Sequence, residues 1–227
     1  MVSIQNNLER LWEAITKTAQ RSGRQAKEIT LVAVTKQISV DRIMEAVQCG
    51  VKEIGENRVQ EAEKKFDLVP KEIRKHLVGH LQTNKVKKAV KMFDMVQSLE
   101  SLKLAQEIDK YSVERAMPVL VEVNTSDEQT KSGLAFEQTC QFLESLAGLK
   151  NIAVQGLMTI GPLTDDQTKI RESFRTLRRL FEEASRLSLP NCQMQYLSMG
   201  MSSDFEIAIL EGANMIRIGT ALFGPRN

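Results

Sequence analysis

No run of apolar residues in this 227-residue chain approaches the ~20 that a membrane-spanning helix needs. The N-terminal stretch MVSIQNNLERLWEAITKTAQRSG lacks the basic start and apolar centre of a secretory signal. Cysteine is scarce. Cys49, Cys140 and Cys192 form an odd set with no C-x-x-C pair, which excludes a disulfide framework and points to a reducing, cytoplasmic setting. Each cysteine reads as a small buried hydrophobe. Asn124-Thr125-Ser126 matches a glycosylation acceptor, a match without meaning in the absence of a secretory signal. Histidine is scarcer still, with only His76 and His80. Both fall on a strand-like run, where four residues separate them by ~13 Å. No acidic or cysteine partners cluster nearby, so no metal site is expected. The formal net charge is +2, too small to argue for nucleic acid or an anionic membrane. NKVKKAVK places Lys85, Lys87, Lys88 and Lys91 on a helix face, but no aromatic residues interleave to stack bases. The run reads as solvated surface. Pro/Gly/Ser-rich linkers are also absent, so residues 1–227 read as one domain.

What is present is a core and a rhythm. Hydrophobic residues make up 42% and charged residues 26%, enough for a buried interior and a solvated surface. An amphipathic helix runs from Ile4 to Ser22, with Leu8, Leu11, Trp12 and Ile15 on one face and Gly23 at its end. Eight strand-like runs follow, at 29–35, 52–56, 76–80, 95–99, 118–124, 152–158, 194–199 and 215–219. Amphipathic stretches separate them, at 40–49, 58–66, 83–92, 101–114, 136–147, 166–188 and 203–211. Several strands are continuously apolar, as expected when both faces are buried. Strict alternation of strand and helix implies right-handed crossovers and a parallel sheet. The fold class is therefore α/β, and eight units in this length fit a single (β/α)8 TIM barrel with an extra N-terminal helix. A doubly wound open sheet is the alternative.

In such a barrel, chemistry sits at the C-terminal ends of the strands. The first strand, in LVAVTK, leads to Lys36, although lysine is among the residues least often buried. The second leads to Glu56 and Asn57, and the third to His80, read as a site-lining or hydrogen-bonded residue. The seventh ends at Ser198 in LSMGMSSD, and the eighth carries Arg217 and ends at Gly219 and Thr220. Loops after strands seven and eight often bind phosphate, and hydroxyls beside unpaired N–H groups suit an anion. Ordinary capping by Ser202 or Ser203 would give the same pattern. A lysine opposite a phosphate site could form a Schiff base with a phosphorylated carbonyl compound. A snorkelling or salt-bridged lysine is the plain alternative. Two chemical classes remain on these residues: a lysine-dependent aldolase, or a pyridoxal-phosphate binder.

Five motifs in register narrow this. AVTK (33–36), GENRVQE (55–61), HLVGHLQTNK (76–85), LSMGMSSDFE (197–206) and IRIGTALFG (216–224) closely resemble the YggS/PROSC family of pyridoxal phosphate (PLP) homeostasis proteins. KSGL (131–134) and GLMTIG (156–161) fit as well. The resemblance covers the chain from the first helix onward. It implies a fold-type III PLP barrel similar to the N-terminal domain of alanine racemase. It implies PLP held as an internal aldimine on Lys36, with Ser198, Gly219 and Thr220 around the phosphate. Asn57 would lie beside the cofactor ring and Arg217 opposite the pyridine nitrogen. An arginine only donates hydrogen bonds, so it favours an unprotonated ring and a weak electron sink. A racemase also needs acid/base groups on both faces of its substrate. The two tyrosines are Tyr111, in a helix, and Tyr196, which shares Ser198's face but lies deeper. The resemblance thus implies a cytoplasmic, non-enzymatic protein that buffers PLP or delivers it to apo PLP-dependent enzymes in vitamin B6 homeostasis. A monomer is expected. A PLP-dependent amino-acid racemase is the alternative, and the aldolase recedes.

Overall fold

The computed structural model describes residues 3–126 and 132–225. The chain opens with α1 (Ile4–Arg21), whose N-cap Ser3 accepts a hydrogen bond from the Asn6 N–H. It continues through β1 (Thr30–Val34), α2 (Val40–Gln48), β2 (Glu53–Glu56), α3 (Val59–Glu63) and β3 (Arg74–Leu77). Next come α4 (Val86–Met92), β4 (Met95–Leu99), α5 (Leu102–Tyr111), β5 (Met117–Glu122) and α6 (Phe136–Ser145). The last third holds β6 (Ile152–Met158), α7 (Gln167–Ala184), β7 (Cys192–Ser198), α8 (Phe205–Leu210), β8 (Met215–Ile218) and α9 (Thr220–Phe223).

The eight strands form a closed barrel in sequence order. Every pairing is parallel, and closure comes from β1 against β8, with Thr30 opposite Met215 and Val32 opposite Arg217. Closure removes the open-sheet alternative. Val32, Met95, Leu120, Met158 and Met215 meet in the lumen with Tyr196 packed against them. The larger core lies between the barrel wall and its helices. The lumen is a packed plug, so access is confined to the barrel ends.

Three local features depart from the patterning. Leu8, Leu11 and Ile15 are buried as expected, but Trp12 is 37% exposed at the margin of the α1 face. β3 starts at Arg74 and ends at Leu77, so His80 lies in the following loop. Arg74 and Lys75 disguise the start of that strand, because a polar side chain in the lumen or along the wall carries no hydrophobic signal. α9 is four residues long, too short to show a helical period.

Candidate cofactor site

The C-terminal ends of β1, β2, β3, β6, β7 and β8 surround a cleft of about 410 Å³. A larger hollow of about 870 Å³ runs along α1 beside Trp12, outside the barrel and remote from the strand ends. The strand-end cleft is the one where functional groups converge.

Lys36 lines this cleft from the turn after β1, and Asn57 from the turn after β2. Asn57 sits close because residue 79 is glycine: a Cβ there would meet the Asn57 carbonyl oxygen at 2.5 Å. Arg217, Gly219 and Thr220 enter from the end of β8. The structure therefore brings five of the expected residues together. Of the two readings of His80 the hydrogen-bonded one applies: its Nδ1 pairs with Glu100 at 2.7 Å, and the largely exposed ring does not line the cleft. Lys131 of the KSGL motif lies outside the described residues.

Ser198 stands apart from the cradle in which it was expected. It is fully buried, and its Oγ accepts from Arg217 Nη1 at 2.6 Å while donating to Gln97 Oε1 at 2.8 Å. Ser202 and Ser203 line the cleft. The reason is strand alternation: Ser198, the last residue of β7, faces the lumen as Tyr196 does. The loop beyond it turns its hydroxyls outward to the cleft. Ser202 Oγ also accepts the N–H groups of Gly219 and Ala221, both at 3.2 Å, which ties the two loops together. The signal for these serines was in the sequence, as the pair just before α8.

Arg217 is buried, and its Nη2 donates to the Thr159 carbonyl at 2.7 Å. Burial lowers its pKa to about 10, so it stays charged at neutral pH. Its hydrogen bonds continue down the barrel. Gln97 Nε2 donates to His76 Nδ1 at 3.0 Å, and His76 Nε2 donates to Glu53 at 2.7 Å. Burial holds the His76 pKa below the ordinary histidine value, consistent with a neutral ring whose proton is on Nε2. At the opposite end of the lumen, the Tyr196 hydroxyl accepts from Arg74 Nη1 at 3.3 Å. That places it far from Lys36.

Glu122 ends β5 and is also buried. Burial, followed by the nearby charge of Glu100, pushes its carboxyl up to about 7 from an ordinary 4.5, with Arg217 opposing the rise. A carboxyl raised on folding binds more protons in the folded than in the unfolded state, so stability falls as pH rises from 4.5 to 7. Glu122→Gln is therefore expected to leave stability unchanged near pH 4 and raise it by up to about 3 kcal/mol above pH 7. Urea unfolding at both pH values checks this, and a gain equal at the two would contradict it.

The donor set suits a small phosphorylated aldehyde. An amine stands on one wall, hydroxyls and glycine backbone on the other, and a donor-only guanidinium at the base. No described helix is long and apolar enough to cross a membrane.

The model of the alanine racemase N-terminal domain matches residues 7–227. A pyridoxal phosphate homeostasis protein of Aquifex aeolicus is 41% identical over 96% of each chain. PipY of Synechococcus elongatus, solved with PLP bound, is 34% identical and superposes with a TM-score of 0.84 over 97% of this chain and 100% of its own. An alanine racemase of Clostridium difficile shares the fold at 16% identity and a TM-score of 0.78, with this chain spanning 57% of it. The chain belongs to the pyridoxal phosphate homeostasis proteins, a family built on the alanine racemase N-terminal domain.

Proposed function

We propose that the protein binds PLP at the barrel mouth and serves intracellular PLP homeostasis by holding and releasing it, without catalytic turnover. The observation that carries this is the convergence of Lys36, Arg217, Gly219, Thr220 and two cleft serines around one opening. The PLP-bound relative PipY supports the ligand.

When bound, PLP supplies an aldehyde and an electron-withdrawing ring. Lys36 would hold the cofactor covalently through its amine. Gly219 would let the phosphate approach the backbone, and Thr220, Ser202 and Ser203 would supply hydroxyl donors to it. Asn57 would flank the ring. Arg217 would meet the ring nitrogen and can only donate, so it would favour the unprotonated ring and limit carbanion chemistry. Ser198 orients Arg217 from below. The Tyr196 hydroxyl is engaged with Arg74 at the far end of the lumen and cannot serve as an acid above Lys36. Such a site favours retention and delivery to apo PLP-dependent enzymes over turnover.

The test loads the protein with PLP and mixes it with an apo PLP-dependent enzyme, while L-alanine in deuterated water is followed separately by NMR. Recipient activity should return, and the α-proton of alanine should persist. Exchange of that proton with the cofactor retained would favour a racemase.

A further inference from the structure

Lys36 lies between two residues that are held by one ion cluster. On its N-terminal side, Thr35 is fully buried. The Thr35 hydroxyl donates to Glu56 Oε1 at 2.7 Å, and its carbonyl accepts from Lys65 Nζ at 2.9 Å. On its C-terminal side, the Gln37 N–H donates to Glu61 Oε2 at 3.0 Å. Lys65 joins the two carboxylates, at 2.7 Å from Glu56 and 3.6 Å from Glu61. Glu56 is fully buried, and Lys65 is nearly so. None of the three side chains lines the cleft.

Gln37 has φ of 60° and is the one non-glycine residue with positive φ among those described. A left-handed residue is strained unless its surroundings over-determine it, and such residues gather where geometry serves function. Here the surroundings are the Ile38 N–H, which closes the turn on the Thr35 carbonyl at 3.0 Å, and the Glu61 carboxylate on the Gln37 amide. The Gln37 hydrogen bond is also the largest cause holding the Glu61 pKa below the ordinary carboxylate value, as expected for an anion that accepts from this amide. Glu56 directly precedes Asn57, so the same cluster also anchors the turn that carries Asn57 into the cleft.

We infer that Glu56, Lys65 and Glu61 are positioning residues that hold the strained Lys36 turn and aim its amine into the cleft. This rests on the reading of Lys36 as the cofactor lysine. The cluster touches neither the amine nor the cleft. It acts through the backbone on both sides of Lys36, presetting an orientation that a free turn would have to find before reacting.

The test measures the rate at which borohydride fixes PLP on Lys36, by peptide mass mapping over time, alongside thermal melting. Lys65→Met strands the buried Glu56 charge and is expected to destabilise the fold, so Glu61 and Gln37 carry the test. Glu61→Ala should slow labelling of Lys36 by about tenfold, the scale of one residue's left-handed penalty. Glu61→Gln keeps an acceptor for the Gln37 amide and should label at close to the wild-type rate. Gln37→Val, whose β-branched side chain resists positive φ, should be as slow as Glu61→Ala while leaving every side chain of the cluster in place. Adding Gln37→Gly to Glu61→Ala should restore the rate, because glycine adopts this conformation freely. A purely structural role would lower melting temperatures and leave this rate pattern absent. Labelling of Lys36 at the wild-type rate in both Glu61→Ala and Gln37→Val would overturn the inference. Failure of wild-type Lys36 to label at all would instead overturn the function reading beneath it.

Discussion

Lys36→Ala is expected to eliminate borohydride-stable attachment of PLP and to weaken PLP binding by about 100-fold or more, the equivalent of roughly 2.7 kcal/mol. The remaining cleft contacts to phosphate and ring would persist, so residual, fully reversible binding should survive. The fold should not suffer. Lys36 is half-buried in a turn, and alanine there removes a side chain without creating a clash. Reduction with PLP followed by peptide mapping decides the matter. An adduct confined to Lys36 in the wild type, and absent from the variant, agrees with the proposed site. Adducts spread over the surface lysines, or retained by Lys36→Ala, would move the covalent site elsewhere.

Gly156→Ala is expected to be the most damaging single-atom change outside the cleft. Gly156 lies on β6 opposite Tyr196 of β7, next to a register shift between Val154 and Gly156. Its φ is 148°, and a Cβ would stand 1.8 Å from the Tyr196 carbonyl oxygen and 2.7 Å from the carbonyl carbon. Both atoms are backbone, so no rotamer change can relieve the overlap. The β6–β7 seam must open, with loss of ladder hydrogen bonds and of lumen packing around Tyr196. A loss of about 4 kcal/mol or more follows, a fall in melting temperature on the order of 10 °C in a chain of this size. Far-UV circular dichroism on heating measures it. A variant melting within about 2 °C of the wild type would show that the seam is more compliant than its geometry implies.

The two residues illustrate how differently site and scaffold could be read from sequence. Lys36 was legible because a lysine after a continuous apolar run breaks the pattern of burial. Arg217 was legible for the same reason within MIRIG, and Asn57 and Gly219-Thr220 by their place at strand ends. Gly156 sits in GLMTIG with no local mark to separate a turn glycine from one that admits a neighbouring backbone. Ser198 shows the converse limit. Its place at the end of β7 and on the face of Tyr196 was right, but that face is the lumen, and the hydroxyls that reach the mouth belong to the loop beyond it. Glu56 and Glu61 both fall in the GENRVQE motif, but Lys65 lies beyond it, and nothing in their spacing says that the three close over the Lys36 turn.

The sequence by itself determined the alternation of eight strands and their helices, and with it the end of the barrel on which Lys36 and Arg217 emerge. Burial periodicity is a local property, and the handedness of parallel crossovers leaves few ways to assemble such units. Only the tertiary structure decided which serines face the cleft. It alone also decided that Arg217 rests on a buried line of side chains through Ser198, Gln97 and His76 to Glu53, and that one ion cluster grips both neighbours of Lys36. These contacts join separate strands and loops, and their directions are set by barrel closure and packing, which no single stretch of chain encodes.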